Sequence, residues 1–195
     1  MYKRQNIPDL NSITILSQGG LNGASKVRTT GLVYEKILVP RNSFVPISSM
    51  NISFKPIICP ALYFLPMRIS EPGLVRYSDG DIRGVDDVWA GLFLKKVMDR
   101  VGSYMTFGSP LVEHRKKPRD IFRDLRNELD GIIINEKLWK VLDEIKLENR
   151  TYLECYEELA ISLAKHSKEF GYYKRFIEYI SKYMMKWSEL WNRLI

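Results

Sequence analysis

Apolar residues recur at helical spacing from Asp87 onward: Val88, Trp89, Leu92, Phe93, Val97 and Val101 share one face, and Gly102 ends the run. An amphipathic helix with one buried face is expected there. The same period predicts helices over about Ile121 to Leu129 and Ile133 to Leu147, with Asp130-Gly131 as the stop signal between them. Beyond Asn149-Arg150-Thr151 two more helices follow, broken near Gly171. The last sets Phe176, Ile180, Tyr183, Met184, Trp187, Leu190, Trp191 and Leu194 on one stripe, which packs on its own domain or offers a face to a partner or a second copy.

Upstream the period shortens. Val33 to Val39 and Phe44 to Phe54 read as strands able to pair through the Pro40-Arg41-Asn42 turn. Pro56, Pro60 and Pro66 punctuate the apolar stretch Ile57 to Met67, which predicts a short helix or a packed loop. Ser70 to Arg83, rich in Gly, Pro and Asp, reads as a flexible approach to the helix at Asp87. Two short strand-like pieces, Tyr104 to Phe107 and Leu111 to Val112, deliver His114 to a loop end. From Gln5 to about Thr30, turn signals surround one apolar piece, Ile13 to Leu16. Asn149 begins an Asn-x-Thr sequon, and without a secretory signal it is more simply a helix cap.

Composition adds bounds to this picture. With 195 residues, 45% hydrophobic and 27% charged, the chain suffices for one domain with a core. No apolar run approaches the roughly 20 residues of a membrane span, and Met1-Tyr2-Lys3-Arg4-Gln5 leads into no apolar signal core. A cytoplasmic location is therefore expected. Cys59 and Cys155 lack metal-ligand spacing and read as buried free thiols. A net charge of +7 first suggests nucleic acid or an anionic surface. Its distribution argues otherwise, because the excess is spread before Pro60 without a basic helix or an aromatic–basic strand motif, so no nucleic-acid partner is expected. The one dense cluster, Arg115-Lys116-Lys117 with Arg119, is a solvated charge run or a neutraliser of ligand phosphates.

The candidate chemistry lies in Gly84-Val85-Asp86-Asp87-Val88-Trp89-Ala90-Gly91. Carboxylates at a helix N-terminus face unpaired backbone N–H groups and the positive end of the macrodipole, which suits a metal, a base or a hydroxyl-rich ligand. Taken alone, Asp86 is an N-cap and Asp87 a favourable first-turn charge. Asp86, Asp87 and His114 are the only well-spaced set with metal or acid–base potential, and carboxylate with imidazole suits Mn²⁺ or a similar divalent ion.

Val85-Asp86-Asp87-Val88-Trp89-Ala90-Gly91, followed by a helix, a Gly-containing turn and a strand ending at His114, resembles the C-terminal half of the reversibly glycosylated polypeptide family. The likeness extends back through Asn6-Ile7-Pro8-Asp9, Val39-Pro40, Met50-Asn51-Ile52-Ser53-Phe54 and Pro60-Ala61-Leu62-Tyr63-Phe64, and forward through Phe122, Leu125, Glu128 and Gly131. It implies an α/β fold class: the C-terminal portion of an A-type nucleotide-sugar glycosyltransferase fold (GT-A-like), with few strands, a hairpin among them, packed by helices. Residues 6–148 would be the acceptor-side part of that domain, 149–195 a helical tail and 1–5 a foreign or mis-assigned start.

The family includes plant UDP-arabinopyranose mutases, which interconvert pyranose and furanose forms, and some members glycosylate themselves on arginine. The resemblance implies a UDP-sugar substrate with a divalent metal, Mn²⁺ or Mg²⁺. Asp86 and Asp87 would be the catalytic acidic pair, Trp89 and Gly91 would line the sugar site above Met50 and Asn51, and His114 would be the late metal ligand. This sequence has Ser48-Ser49 where the family has Cys-Gly, and Leu92 where it has a second tryptophan. The nucleotide-binding half, with its Asp-x-Asp-type motif, has no counterpart here. The expectation is thus a truncated UDP-sugar mutase or glycosyltransferase-like protein, inactive alone; the alternative is a non-catalytic interaction module using the C-terminal aromatic helix, which would also serve a homo-oligomer.

Overall fold

Asp86–Val101 forms α1, the helix that the apolar period requires. Gly102 stops it in the left-handed region at φ 85°, and the Gly102 and Ser103 N–H groups both donate to Met98 O. The computed structural model describes residue 13 and residues 36–47, 49, 51–69, 71–78, 80, 82, 84–108 and 120–194. Around α1 stand α2 (Ile121–Glu144), α3 (Tyr152–Lys165) and α4 (Lys174–Leu194), with short 3₁₀ helices at Pro56–Ala61 and Ser167–Tyr173. Among the described residues the only sheet is two-stranded and antiparallel: β1 (Ile37–Leu38) pairs with β2 (Thr106–Phe107) in the register Ile37 to Phe107 and Leu38 to Thr106. The fold is therefore mostly helical.

The core is where α1, α3 and α4 meet. Trp89, Leu92, Phe93 and Val97 of α1 lie against Tyr156, Leu159 and Leu163 of α3 and Phe176, Ile180 and Met184 of α4, all fully buried. Each such side chain contributes about 1.5–3 kcal/mol of hydrophobic stabilisation relative to exposure. The proline-punctuated stretch is a 3₁₀ turn followed by a packed loop, as its prolines predict. Its Pro60 carbonyl accepts a bond from Trp187 Nε1 at 3.1 Å, and Tyr63 stacks on the Trp187 ring. The α4 stripe thus packs on its own fold as far as Trp187, while Leu190 and Leu194 at its end remain exposed. The expected break near Gly171 is present, with a non-helical backbone there.

Several expectations are corrected. Asp130-Gly131 does not separate two helices, because α2 runs through it without interruption from Ile121 to Glu144. Gly131 is needed inside the helix: a Cβ there would lie 2.6 Å from Val85 Cγ1, so its absence lets the entry to α1 approach. Among the described residues, 36–39 do not pair with the stretch 44–54 through the Pro40 turn; the described residues of that stretch form no strand, and β1 pairs instead with β2, far along the chain. Asn149 is not the cap of α3. Thr151 is, accepting a bond from Glu154 N, while Asn149 is tied to the Glu158 carboxylate. The stretch before Asp87 is anchored rather than loose, for reasons given below. Cys155 is a buried free thiol, as expected, and Cys59 a partly exposed one. Among the described residues no helix is long and apolar enough to cross a membrane.

Candidate functional site at the mouth of α1

Asp86 and Asp87 occupy the first turn of α1, and the N-cap is the residue before them, Val85, whose side chain is buried and offers no capping bond. Asp86 is therefore a first-turn residue and not the cap. With no capping side chain, the opening amides are served from within the turn: Asp87 Oδ1 accepts the Val88 N–H at 2.9 Å. Both carboxylates are partly exposed at the positive end of the helix. Gly84, at φ 72°, makes the bend into the helix, and a Cβ there would sit 3.5 Å from Glu128 Oε1. A buried α2 carboxylate thus stands beside the same helix mouth.

What positions this mouth is Asp130. Its side chain is fully buried, and Oδ1 accepts from Arg76 N at 3.0 Å and Tyr173 OH at 2.7 Å. Oδ2 accepts from Tyr77 N, Ser78 N and Ser78 Oγ at 3.0, 2.8 and 2.7 Å. Burial alone raises the Asp130 pKa, but the bonds from Tyr173, Ser78 and Arg76 outweigh it and hold the carboxyl below its ordinary value. Burial, and then the bond to Asp130, push the Tyr173 phenol the other way. Beyond this clamp the chain pairs with residues 67–69, Ile69 N donating to Gly80 O and Ile82 N to Met67 O, and buried Ile82 then leads to Gly84. The approach rich in Gly, Pro and Asp is accordingly tied at both ends.

The far half of α1 fixes the other neighbour. Lys95, 1% exposed, donates to Pro40 O at 2.9 Å and to both Asp99 oxygens at 2.6 Å, and Asp99 also accepts Asn42 N at 3.0 Å. The buried charge is thus paired and hydrogen-bonded to the Pro40–Asn42 turn. Between the two ends, Gly91 lets residues 45–47 cross against the helix: a Cβ there would meet Ile47 N at 2.8 Å and Val45 O at 3.0 Å.

Trp89 turns its ring into the core against Phe176 and donates its indole N–H to Asn135 Oδ1, and Gly91 is covered by the crossing segment at residues 45–47. Asn51 is exposed, whereas Met50 and His114 lie outside the described residues. Among the described residues, no three His, Cys, Asp or Glu side chains gather as a metal-ligand group. The carboxylate oxygens suit Mn²⁺ or Mg²⁺, but two residues adjacent on one turn do not complete a site.

The sequence pointed to Glu128 only through the family likeness and to Asp130 only as a stop signal, and it gave neither of them, nor the Lys95–Asp99 pair, a role at the site. A signal existed: Lys95 keeps the spacing of Val88 and Leu92, and Asp130 that of Ile134 and Leu138, so each stands in a buried register.

A family model for reversibly glycosylated polypeptide matches residues 4–195, through the last helix. Probable UDP-arabinopyranose mutase 5 of Arabidopsis thaliana is 33% identical over 168 residues, covering 85% of this chain and 45% of that protein. UDP-arabinopyranose mutase 1 of Arabidopsis thaliana is 30% identical over 192 residues, 97% of this chain and 48% of that protein. UDP-arabinopyranose mutase 1 of Oryza sativa subsp. japonica is 28% identical over 193 residues, again 97% and 48%. The chain therefore spans about half the length of the curated relatives it matches. With the match running over nearly every residue, helical tail included, the chain belongs to the reversibly glycosylated polypeptide family.

Proposed function

We propose that this chain supplies the sugar- and acceptor-facing part of a UDP-sugar mutase or glycosyltransferase-like protein with the GT-A type of fold. The observation that carries the reading is the acidic pair at an uncapped helix mouth, held by a second helix, in a chain whose relatives are named UDP-arabinopyranose mutases. On this reading the turnover belongs to the longer architecture of those relatives, and the chain by itself is inactive.

Asp86 and Asp87 accept hydrogen bonds from sugar hydroxyls, a task for which ionised, partly exposed carboxylates are suited. Holding the hydroxyls fixes the ring while the anomeric C–O bond to UDP weakens through an oxocarbenium-like transition state. The first-turn amides of α1, preorganised and dipole-aligned, favour negative charge beside them. Trp89, anchored on Asn135, holds the first turn in place from within the core. A divalent ion, where bound, would offset diphosphate charge; the described carboxylates do not complete its site, and no step is routed through it.

The test joins this chain to the portion of Arabidopsis thaliana UDP-arabinopyranose mutase 1 that lies outside the match. UDP-sugar isomerisation and hydrolysis are then followed for the parent and for Asp87→Asn. Turnover is expected to fall about a hundredfold with UDP affinity nearly unchanged, as when a group stabilising only the transition state is lost. Unchanged turnover would sink the assignment. Exposed Leu190 and Leu194 support a narrower second reading, in which the end of α4 meets a partner or a second copy.

A further inference from the structure

Two peptide groups of the loop before α1 are held from both sides. The Val75 carbonyl accepts from Tyr172 OH at 3.2 Å, while the N–H of the same peptide group, on Arg76, donates to Asp130 Oδ1 at 3.0 Å. The Tyr77 carbonyl accepts from Arg126 Nε at 3.2 Å, and the N–H of that group, on Ser78, donates to Asp130 Oδ2 at 2.8 Å. Outer donors thus polarise both groups and keep their positive ends turned inward. The Arg76 guanidinium lies 5.3 and 5.9 Å from the ring centres of Tyr77 and Tyr172, which braces the loop on its exposed side. None of these braces comes from Asp130. Consecutive backbone N–H groups aimed at one point form an anion-binding concavity, and here the amides of residues 76–78 are joined by the buried hydroxyls of Ser78 and Tyr173.

We propose that residues 76–78 and Tyr173 are a receptor for a small planar carboxylate, filled in the native fold by Asp130, and that it takes a carboxylate from solution when Asp130 is shortened to Ala. The donor geometry decides the ligand class. Among the described residues two donors end on Oδ1 and three on Oδ2, so both oxygens of a carboxylate are served and the further oxygens of a tetrahedral phosphate are not. Asp130→Ala removes one carbon and two oxygens, the heavy atoms of formate, from within a helix that Ala favours. Whatever fills the receptor ties the approach to Asp86 onto α2 and α4, and in the native chain the enclosed Asp130 closes it to nucleotide phosphates. The proposal stands apart from the enzymatic reading, and its test needs no turnover.

Thermal midpoints of the full chain and of Asp130→Ala are measured in sodium formate, phosphate and chloride at a matched ionic strength of about 0.3 M. Formate should raise the midpoint of the variant by about 5 °C, saturably, and leave the parent within about 1 °C of its value in chloride. Amide exchange at residues 76–78 should be faster in the variant than in the parent and be slowed about tenfold by formate. Isotope-labelled formate should give a broadened, bound resonance with the variant and a sharp, free one with the parent. Adding Ser78→Ala, which removes one donor to the charge, should raise the half-saturating formate concentration about tenfold. If Asp130→Ala lacks helical circular dichroism in chloride, formate should restore it. A midpoint shift shared by parent and variant, formate that acts no better than phosphate or chloride, amides that exchange as before, or an unfolded variant that formate fails to restore overturns the proposal.

Discussion

Asp130 and Ser78 share two hydrogen bonds, the Ser78 amide and hydroxyl both donating to Asp130 Oδ2 at 2.8 and 2.7 Å. Through them an interior position of α2 holds the loop that delivers the chain to Asp86. Three backbone amides and two hydroxyls end on a single carboxylate, so the loop needs no ladder of its own to satisfy its polar groups.

Asp130→Asn keeps the size of the side chain but turns an NH₂ group toward donors that now lack an acceptor. Bonds to a charged group are worth about 1.5–3 kcal/mol each, and the loss of several is partly offset by relaxation of the loop. Urea unfolding should show a destabilisation of about 2–4 kcal/mol. Tyr173→Phe, which removes one donor and leaves the rest paired, should cost about 1 kcal/mol.

Acid should act on the same residue. Because the folded Asp130 pKa lies below the ordinary 3.8, the unfolded chain takes up the proton first. The stability it contributes is complete above that ordinary value and is lost as pH falls through the lower, folded one. The difference in unfolding free energy between the parent and Asp130→Asn should therefore stay constant from about pH 7 to 5 and shrink below about pH 4. A gap that persists unchanged at low pH would show that charge is not what the loop uses.

Gly91→Ala places a methyl group 2.8 Å from Ile47 N, a backbone atom that cannot rotate away. The crossing at residues 45–47 must lift. A loss of about 1–3 kcal/mol is expected, against the small gain that Ala normally gives inside a helix. Thermal denaturation gives the sign: a higher midpoint in the variant would mean that the crossing is looser than described.

The two thiols should differ in reactivity. Burial, and next the nearby Glu158, push the Cys155 pKa up to about 11, and its side chain is fully enclosed. Cys59 is partly exposed. In a thiol-titration assay on the native chain, Cys59 should react first and Cys155 only on unfolding.

Periodicity made α1, α3 and α4 legible, because each has a continuous apolar face and a clear boundary at Gly102, Thr151 or Gly171. It failed at Asp130-Gly131, where propensity marks a stop but tertiary demands win: the glycine admits Val85 and the aspartate serves a loop some fifty residues earlier. Strand pairing failed for a related reason. A local turn suggests a hairpin, but nothing near Ile37 in sequence says that its partner is Phe107. Of the site, the acidic pair was legible from its position at a helix start, whereas its supports Glu128 and Asp130 were hidden among the charges of α2.

The Lys95–Asp99 pair makes α1 a ruler. It pins the Pro40–Asn42 turn to one end of a rigid rod whose other end carries Asp86 and Asp87. Eight residues separate Asp87 from Lys95, which at helical rise is about 12 Å. Adding or deleting one residue between them would rotate one end by about 100° against the other and disengage either the turn or the acidic pair. The spacing is therefore a length that this chain must keep, in a helix of which only Arg100 is exposed.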